Sequence, residues 1–124
     1  MPIKNELIEN GHVLLSVYET PWGLEDLVGF NALAAKHYAQ ATHKIHLLID
    51  ARQMGTIPYG VLRSRAYSHF THPRSGAIAV VGASTIARAL AETVLRLAHF
   101  DRAKFFMTQE EALEYLRTVI AREQ

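Results

Sequence analysis

The chain has 124 residues, 49% of them hydrophobic and 20% charged, with a formal net charge of +1. That size and balance suit one globular domain with a core, and so small a charge excludes an electrostatic case for nucleic acid or an anionic membrane surface. Cysteine is absent, which excludes disulfides and thiolate chemistry.

The N-terminal "MPIKNELIENG" holds no apolar signal core, and no run approaches the roughly 20 apolar residues of a membrane helix. Repeats and linkers are absent. The expectation is a single cytoplasmic domain over residues 1–124. It carries no cofactor, no metal and no catalytic constellation, binds no nucleic acid and makes no stable membrane insertion. Asn10-Gly11 lies between apolar segments, the strongest short hairpin signal, so residues 3–8 and 12–19 should pair antiparallel. In the second strand Val13, Leu15 and Val17 alternate with polar positions, while Leu14 and Tyr18 give the other face partial cover.

"TPWGLEDLVGFNALAAKHYAQA" reads as a helix: Thr20 caps it, Pro21 fits its first turn, and Glu25 and Asp26 suit its positive end. Leu24, Leu27, Val28, Asn31, Ala34, Ala35 and Tyr38 form a stripe at helical spacing. Phe30 and Leu33 widen it, either as a broad core face or as a surface for self-association. Trp22 should pack as a staple before the helix. "KIHLLIDA" and "GAIAVVGA" are continuous apolar runs suited to central strands covered on both faces. Helical patterns follow at about 59–70, 84–100 and 108–124, the last opened by a Thr108-x-x-Glu111 capping box. "AKFFM" is a short fifth strand. Strands alternating with helices predict an α/β fold: an N-terminal hairpin, then a mixed, mostly parallel five-stranded sheet covered by about four helices.

This order, the Asp-ended strand with its loop, the "VVGAS" turn and the closing "FFMTQEEALEYL" resemble STAS domains, the anti-sigma-factor antagonists. A closer likeness is to small stand-alone bacterial STAS-like proteins, matched also at Trp22, Glu25, Asp26 and Leu27. The resemblance implies a SpoIIAA-like fold. In the antagonist branch it further implies a serine after the Asp-ended strand, phosphorylated by a partner kinase to break a complex. Here the matching segment, residues 50–63, holds no serine. Tyr59 and Gly60 stand about where the serine and its neighbour would be, and Thr56 is the remaining aliphatic hydroxyl. The phosphoswitch does not carry over.

Ligands of open α/β sheets gather at the carboxyl ends of the strands. Asp50, Arg52, Thr56, Tyr59 and Arg63 should lie there, as a polar pocket, a docking patch, or a carboxylate ordered by an arginine. Ser84 is the expected cap of the next helix, with Thr85 in its first turn. Arg88, one turn in, is mildly unfavourable against the dipole. A bound anion or a neighbouring acid would relieve it. Residues 62–74 form a basic segment in which His69 and His72 lack a third metal ligand. His12, His37, His43, His46 and His99 are scattered. His43 and His46, three apart in a strand-like context, should point to opposite faces.

Three functions are open at this point. The first is a non-enzymatic module acting through protein contacts, including a homodimer through the first helix or a sheet edge. The second is a carrier of a lipid or another small hydrophobic or anionic ligand. The third is an enzyme with Asp50 as general base, which needs a pocketed carboxylate of raised pKa.

Overall fold

The computed structural model describes residues 3–55, 73–97 and 102–123. In chain order these form β1 (Ile3–Ile8), β2 (Val13–Glu19), α1 (Leu24–Gln40), β3 (Ile45–Gln53), β4 (Ser75–Val81), α2 (Thr85–Leu97), β5 (Ala103–Phe106) and α3 (Gln109–Glu123). One sheet runs β1-β2-β3-β4-β5, so strand order in space equals chain order. β1 is antiparallel to β2, and every later pair is parallel. The sheet is the expected one. The helix expected at about 59–70 lies outside the described residues, and among the described residues there are three α-helices where about four were expected over the whole chain.

The two apolar runs become β3 and β4 because both of their faces are covered. All seven residues of β4 are buried. Odd and even positions feed separate cores, as the period of two requires. On one face Leu14, Tyr18, Leu47, Ile78 and Val80 meet Phe30, Ala34 and Tyr38 of α1. On the other, Val13, Leu48, Ala79 and Val81 meet Ala112 and Leu116 of α3. Each fully buried Leu, Ile or Val adds roughly 1.5–3 kcal/mol of transfer free energy. α2 lies on the α1 side, where the Arg88 guanidinium sits 4.8 Å over the ring of Phe105, which packs against the first core.

Four local expectations need correction. The β1–β2 connection is not a two-residue Asn-Gly turn. Ile8 pairs with Val13, and Glu9, Asn10 and Gly11 all take positive φ in a short 3-10 turn. In β2 the better-buried face is that of Leu14, Ser16 and Tyr18, because α1 lies over it; Leu15 and Val17 are half-buried. The buried hydroxyl of Ser16 donates to Asn5 Oδ1 on the paired strand at 2.8 Å. The cap of α1 is Gly23, not Thr20: its N–H donates to Asp26 Oδ2 at 2.9 Å, so the helix begins at Leu24. Finally, the buried face of α1 is rotated from the expected stripe. It consists of Phe30, Ala34 and Tyr38, while Leu24, Val28 and Ala35 face outward. The large ring of Phe30 finds the core, and the smaller apolar residues yield to it.

Candidate functional site at the carboxyl rim

Asp50 pairs with Val17 on one side and Val81 on the other, so β2, β3 and β4 point the same way and exit at one edge. Asp50 does not end its strand, since β3 runs on to Gln53. Its buried carboxylate is gripped by Arg52, whose Nη2–H donates to Oδ2 at 2.6 Å and Nε–H to Oδ1 at 3.0 Å. The Arg52 backbone N–H adds a third bond to Oδ1 at 3.1 Å. Arg52's fork, with the backbone N–H beside it, holds the Asp50 carboxyl below its usual range against the opposing effect of burial. The general-base reading of Asp50 is therefore overturned: the carboxylate is committed to an ion pair and its pKa is lowered, not raised.

The exits of β3 and β4 nearly touch. Gly82 has φ +71°, and a Cβ there would drive into the Arg52 side chain. Its N–H donates to the Phe106 carbonyl at 3.0 Å, which draws in the end of β5. Gly55, at φ +66°, lies equally close to the Thr20 methyl. At both glycines a side chain would be strained and would also collide. Nearby, the Trp22 Nε1–H donates to the Met54 carbonyl at 2.8 Å, and its ring meets Tyr18 edge-on, which is the expected staple.

α2 starts at this rim. Ser84 is its cap as expected: its hydroxyl accepts from the Ala87 N–H at 3.1 Å. Thr85 is exposed in the first turn. Arg88 is relieved by a neighbouring acid, with Nε 3.0 Å from Glu92 Oε1, and by the Phe105 ring. Between β3, Gly82 and α2 lies a shallow cavity of about 240 Å³, walled by Arg52, Gly55, Ser84 and Ile86. Ile86 is 70% exposed and Met107, just past β5, is 86% exposed. Of the residues expected here, the structure brings Asp50, Arg52, Ser84, Thr85 and Arg88 to one rim. Thr56, Tyr59 and Arg63 lie outside the described residues, as do His69 and His72.

Sequence reasoning missed Ile86, since a lone apolar residue in a helical pattern reads as core until the helix phase is known, and Met107, which reads as the last residue of the fifth strand but lies just past β5. It also missed His46, which is 1% exposed at the opposite edge. Its Nδ1 accepts from the Ala77 N–H at 2.8 Å and its Nε2 meets Glu123 Oε1 at 2.8 Å. The first bond places the ring proton on Nε2. Gly76 is the one available signal for this: a Cβ there would enter the His46 ring. His43 precedes β3 and stacks on His12, ring centroids 4.0 Å apart, so the opposite-face expectation for the pair does not apply.

Known proteins can be set beside this geometry. The model of the SpoIIAA-like family matches residues 22–117. No curated protein matches the chain. Among solved structures, a serine-to-glutamate variant of RsbS from Moorella thermoacetica superposes with a TM-score of 0.63 at 15% identity, over 98% of this chain and 99% of that one. At such identity the likeness concerns the fold alone. Because the family model spans most of the chain, from α1 through β3, β4 and β5 to most of α3, this chain belongs to the SpoIIAA-like family.

Proposed function

We propose that this chain is a non-enzymatic regulatory module of the anti-sigma-factor-antagonist kind, which docks a protein partner on its carboxyl rim without a phosphoserine switch. The observation that carries this reading is the pair of outward apolar side chains, Ile86 and Met107, beside the ion-locked corner of Asp50, Arg52 and Gly82. Exposed apolar groups rimmed by charge are the usual anchors of protein contacts. The adjoining cavity, about 240 Å³, falls below the range of typical small-molecule sites, and this favours a surface contact over an enclosed ligand. Against the phosphoswitch stands the segment 50–63, which has no serine to modify.

The test uses the full chain and the anti-sigma and kinase-type regulators encoded in the same genome, with binding measured by interferometry. A partner should be found whose affinity falls at least about tenfold when Ile86→Glu and Met107→Glu are combined. Unchanged binding by the double variant would remove the rim as the docking face. Mapping phosphorylation after incubation with cellular kinases tests the switch separately. Stoichiometric modification of Thr56 would restore it.

A further inference from the structure

β1 and β5 are the lateral strands of the sheet, and among the described residues each has one side that no other strand pairs. Along β1 the side chains of Lys4, Glu6 and Leu7 are exposed. Leu7, at 39%, is a large apolar group left in water. Which backbone groups of β1 face outward follows from the ladder. The His46 N–H donates to the His12 carbonyl, so by alternation Leu14 and Ser16 also turn their N–H and C=O toward β3. Val13, Leu15 and Val17 then turn theirs toward β1, where they meet Ile8, Glu6 and Lys4. That leaves Ile3, Asn5 and Leu7 with N–H and C=O directed away from the sheet.

An open strand of this kind can pair with a second copy of itself running antiparallel, and the sequence selects the register. Centring the pair on Asn5 sets Ile3 against the partner's Leu7 and Asn5 against the partner's Asn5. Every outward N–H and C=O of Ile3, Asn5 and Leu7 then finds a mate. The same centring places Lys4 opposite the partner's Glu6 on both sides of the axis. The neighbouring registers set Lys4 against the partner's Lys4, or Glu6 against the partner's Glu6, and leave outward amides unmatched. Within its own chain Lys4 reaches Glu19 at 3.0 Å, an exposed pair screened by water. Its ammonium has three N–H donors and can serve both acids. β5 offers no such match. The Arg102 carbonyl accepts from the Ile78 N–H, so Ala103 and Phe105 face outward, and pairing them with a second copy would set Lys104 against the partner's Lys104.

We propose that β1 is a homodimerisation strand: two copies of this chain pair β1 with β1 antiparallel about a two-fold axis at Asn5, fixed in register by the Lys4–Glu6 pairs across it. The contact is isologous, as a two-fold requires, and it joins the two sheets into one. Leu7 then lies beside the partner's Ile3 instead of in water. The interface leaves β3, β4 and α2 untouched, so it stands whether or not the docking reading holds.

Sedimentation velocity of the full chain over a concentration series tests this, and should show a reversible monomer–dimer equilibrium. In amide hydrogen exchange, Asn5 and Leu7 should be protected at high concentration and released on dilution, while Glu6 and Ile8, bonded to β2, stay protected throughout. Lys4→Glu and Glu6→Lys each set like charges against one another twice across the axis, and each should weaken dimerisation about tenfold. Mixed together, the two variants place opposite charges at both positions and should form a heterodimer of near wild-type strength. Leu7→Pro deletes an outward N–H without touching the bonds to β2, and should abolish the dimer while circular dichroism shows the fold intact. A chain that stays monomeric to about 0.5 mM, a dimer indifferent to both charge reversals, or a mixture no tighter than either variant alone would each overturn the proposal.

Discussion

The two ends of the sheet are built on different principles. At the amino edge, polar groups are tied to one another across elements. His46 joins β3, β4 and α3, Arg117 of α3 reaches Glu9 of the hairpin turn at 2.6 Å, and the His12 and His43 rings stack. At the carboxyl edge one tight ion pair holds the corner, two glycines let the backbone turn closely, and Ile86 and Met107 are left outward. One edge spends its chemistry on internal contacts and the other keeps apolar surface for an external one. In a parallel sheet this division is available because all the strand ends of one polarity lie together.

The contrast can be broken most sharply at Gly76. Gly76→Val should cost about 3 kcal/mol, because its Cβ enters a ring held on both sides and cannot be accommodated by one flexible side chain. Urea unfolding measures this. A loss below about 1 kcal/mol would mean the His46 ring is loosely held. Next comes Arg52→Ala, expected to lower stability at neutral pH by less than Gly76→Val does, because it leaves the Asp50 carboxylate buried without its fork while the guanidinium it removes is itself exposed.

That loss has a pH signature. Asp50 titrates lower in the folded chain than in the unfolded one, so its contribution is full above the ordinary carboxylate value and disappears as pH falls through the lowered one. The gap between wild type and Arg52→Ala should therefore close on acidification below about pH 4, as thermal melts across pH would record.

Third is Thr108→Ala, which removes the hydroxyl that accepts from the Glu111 N–H at 3.2 Å and should cost about 1 kcal/mol in melting experiments. The smallest stability effect belongs to the rim. Ile86→Glu with Met107→Glu should change unfolding free energy by less than about 0.5 kcal/mol while weakening partner binding. If that double variant were as damaging as Gly76→Val, the rim would be part of the interior and the distinction between the two edges would fail.

Strand positions were readable because continuous apolar runs bounded by turn residues leave few alternatives; β3 (Ile45–Gln53) and β4 (Ser75–Val81) match the runs at 44–51 and 76–83 to within two residues at each end. Helix caps at Ser84 and Thr108 were readable because capping is a local bond. The second half of the expected capping box differs: Glu111 accepts from the Thr108 hydroxyl, at 3.0 Å, instead of reaching its backbone. What could not be read was any choice made across the fold. The rotation of α1 depends on where the ring of Phe30 fits among β-strand side chains. The role of His46 depends on Glu123, 77 positions away. Asp50 was legible as a residue near a corner, yet whether it would serve as base or anchor turned on the direction taken by a neighbouring guanidinium.

Strand order in space repeats strand order in the chain. During synthesis each strand that emerges therefore meets a neighbour already laid down, and none must be inserted between two others. The growing edge is always the newest one, a temporary row of unpaired amides that the next crossover covers. Among the described residues α3 follows β5 and covers the face of Val13, Leu48 and Ala79, with Glu123 reaching His46. A ribosome-stalled chain ending before residue 108 would thus hold the sheet without the cover that Ala112 and Leu116 give to Val13, Leu48 and Ala79, and chaperone occupancy should drop once α3 has left the exit tunnel.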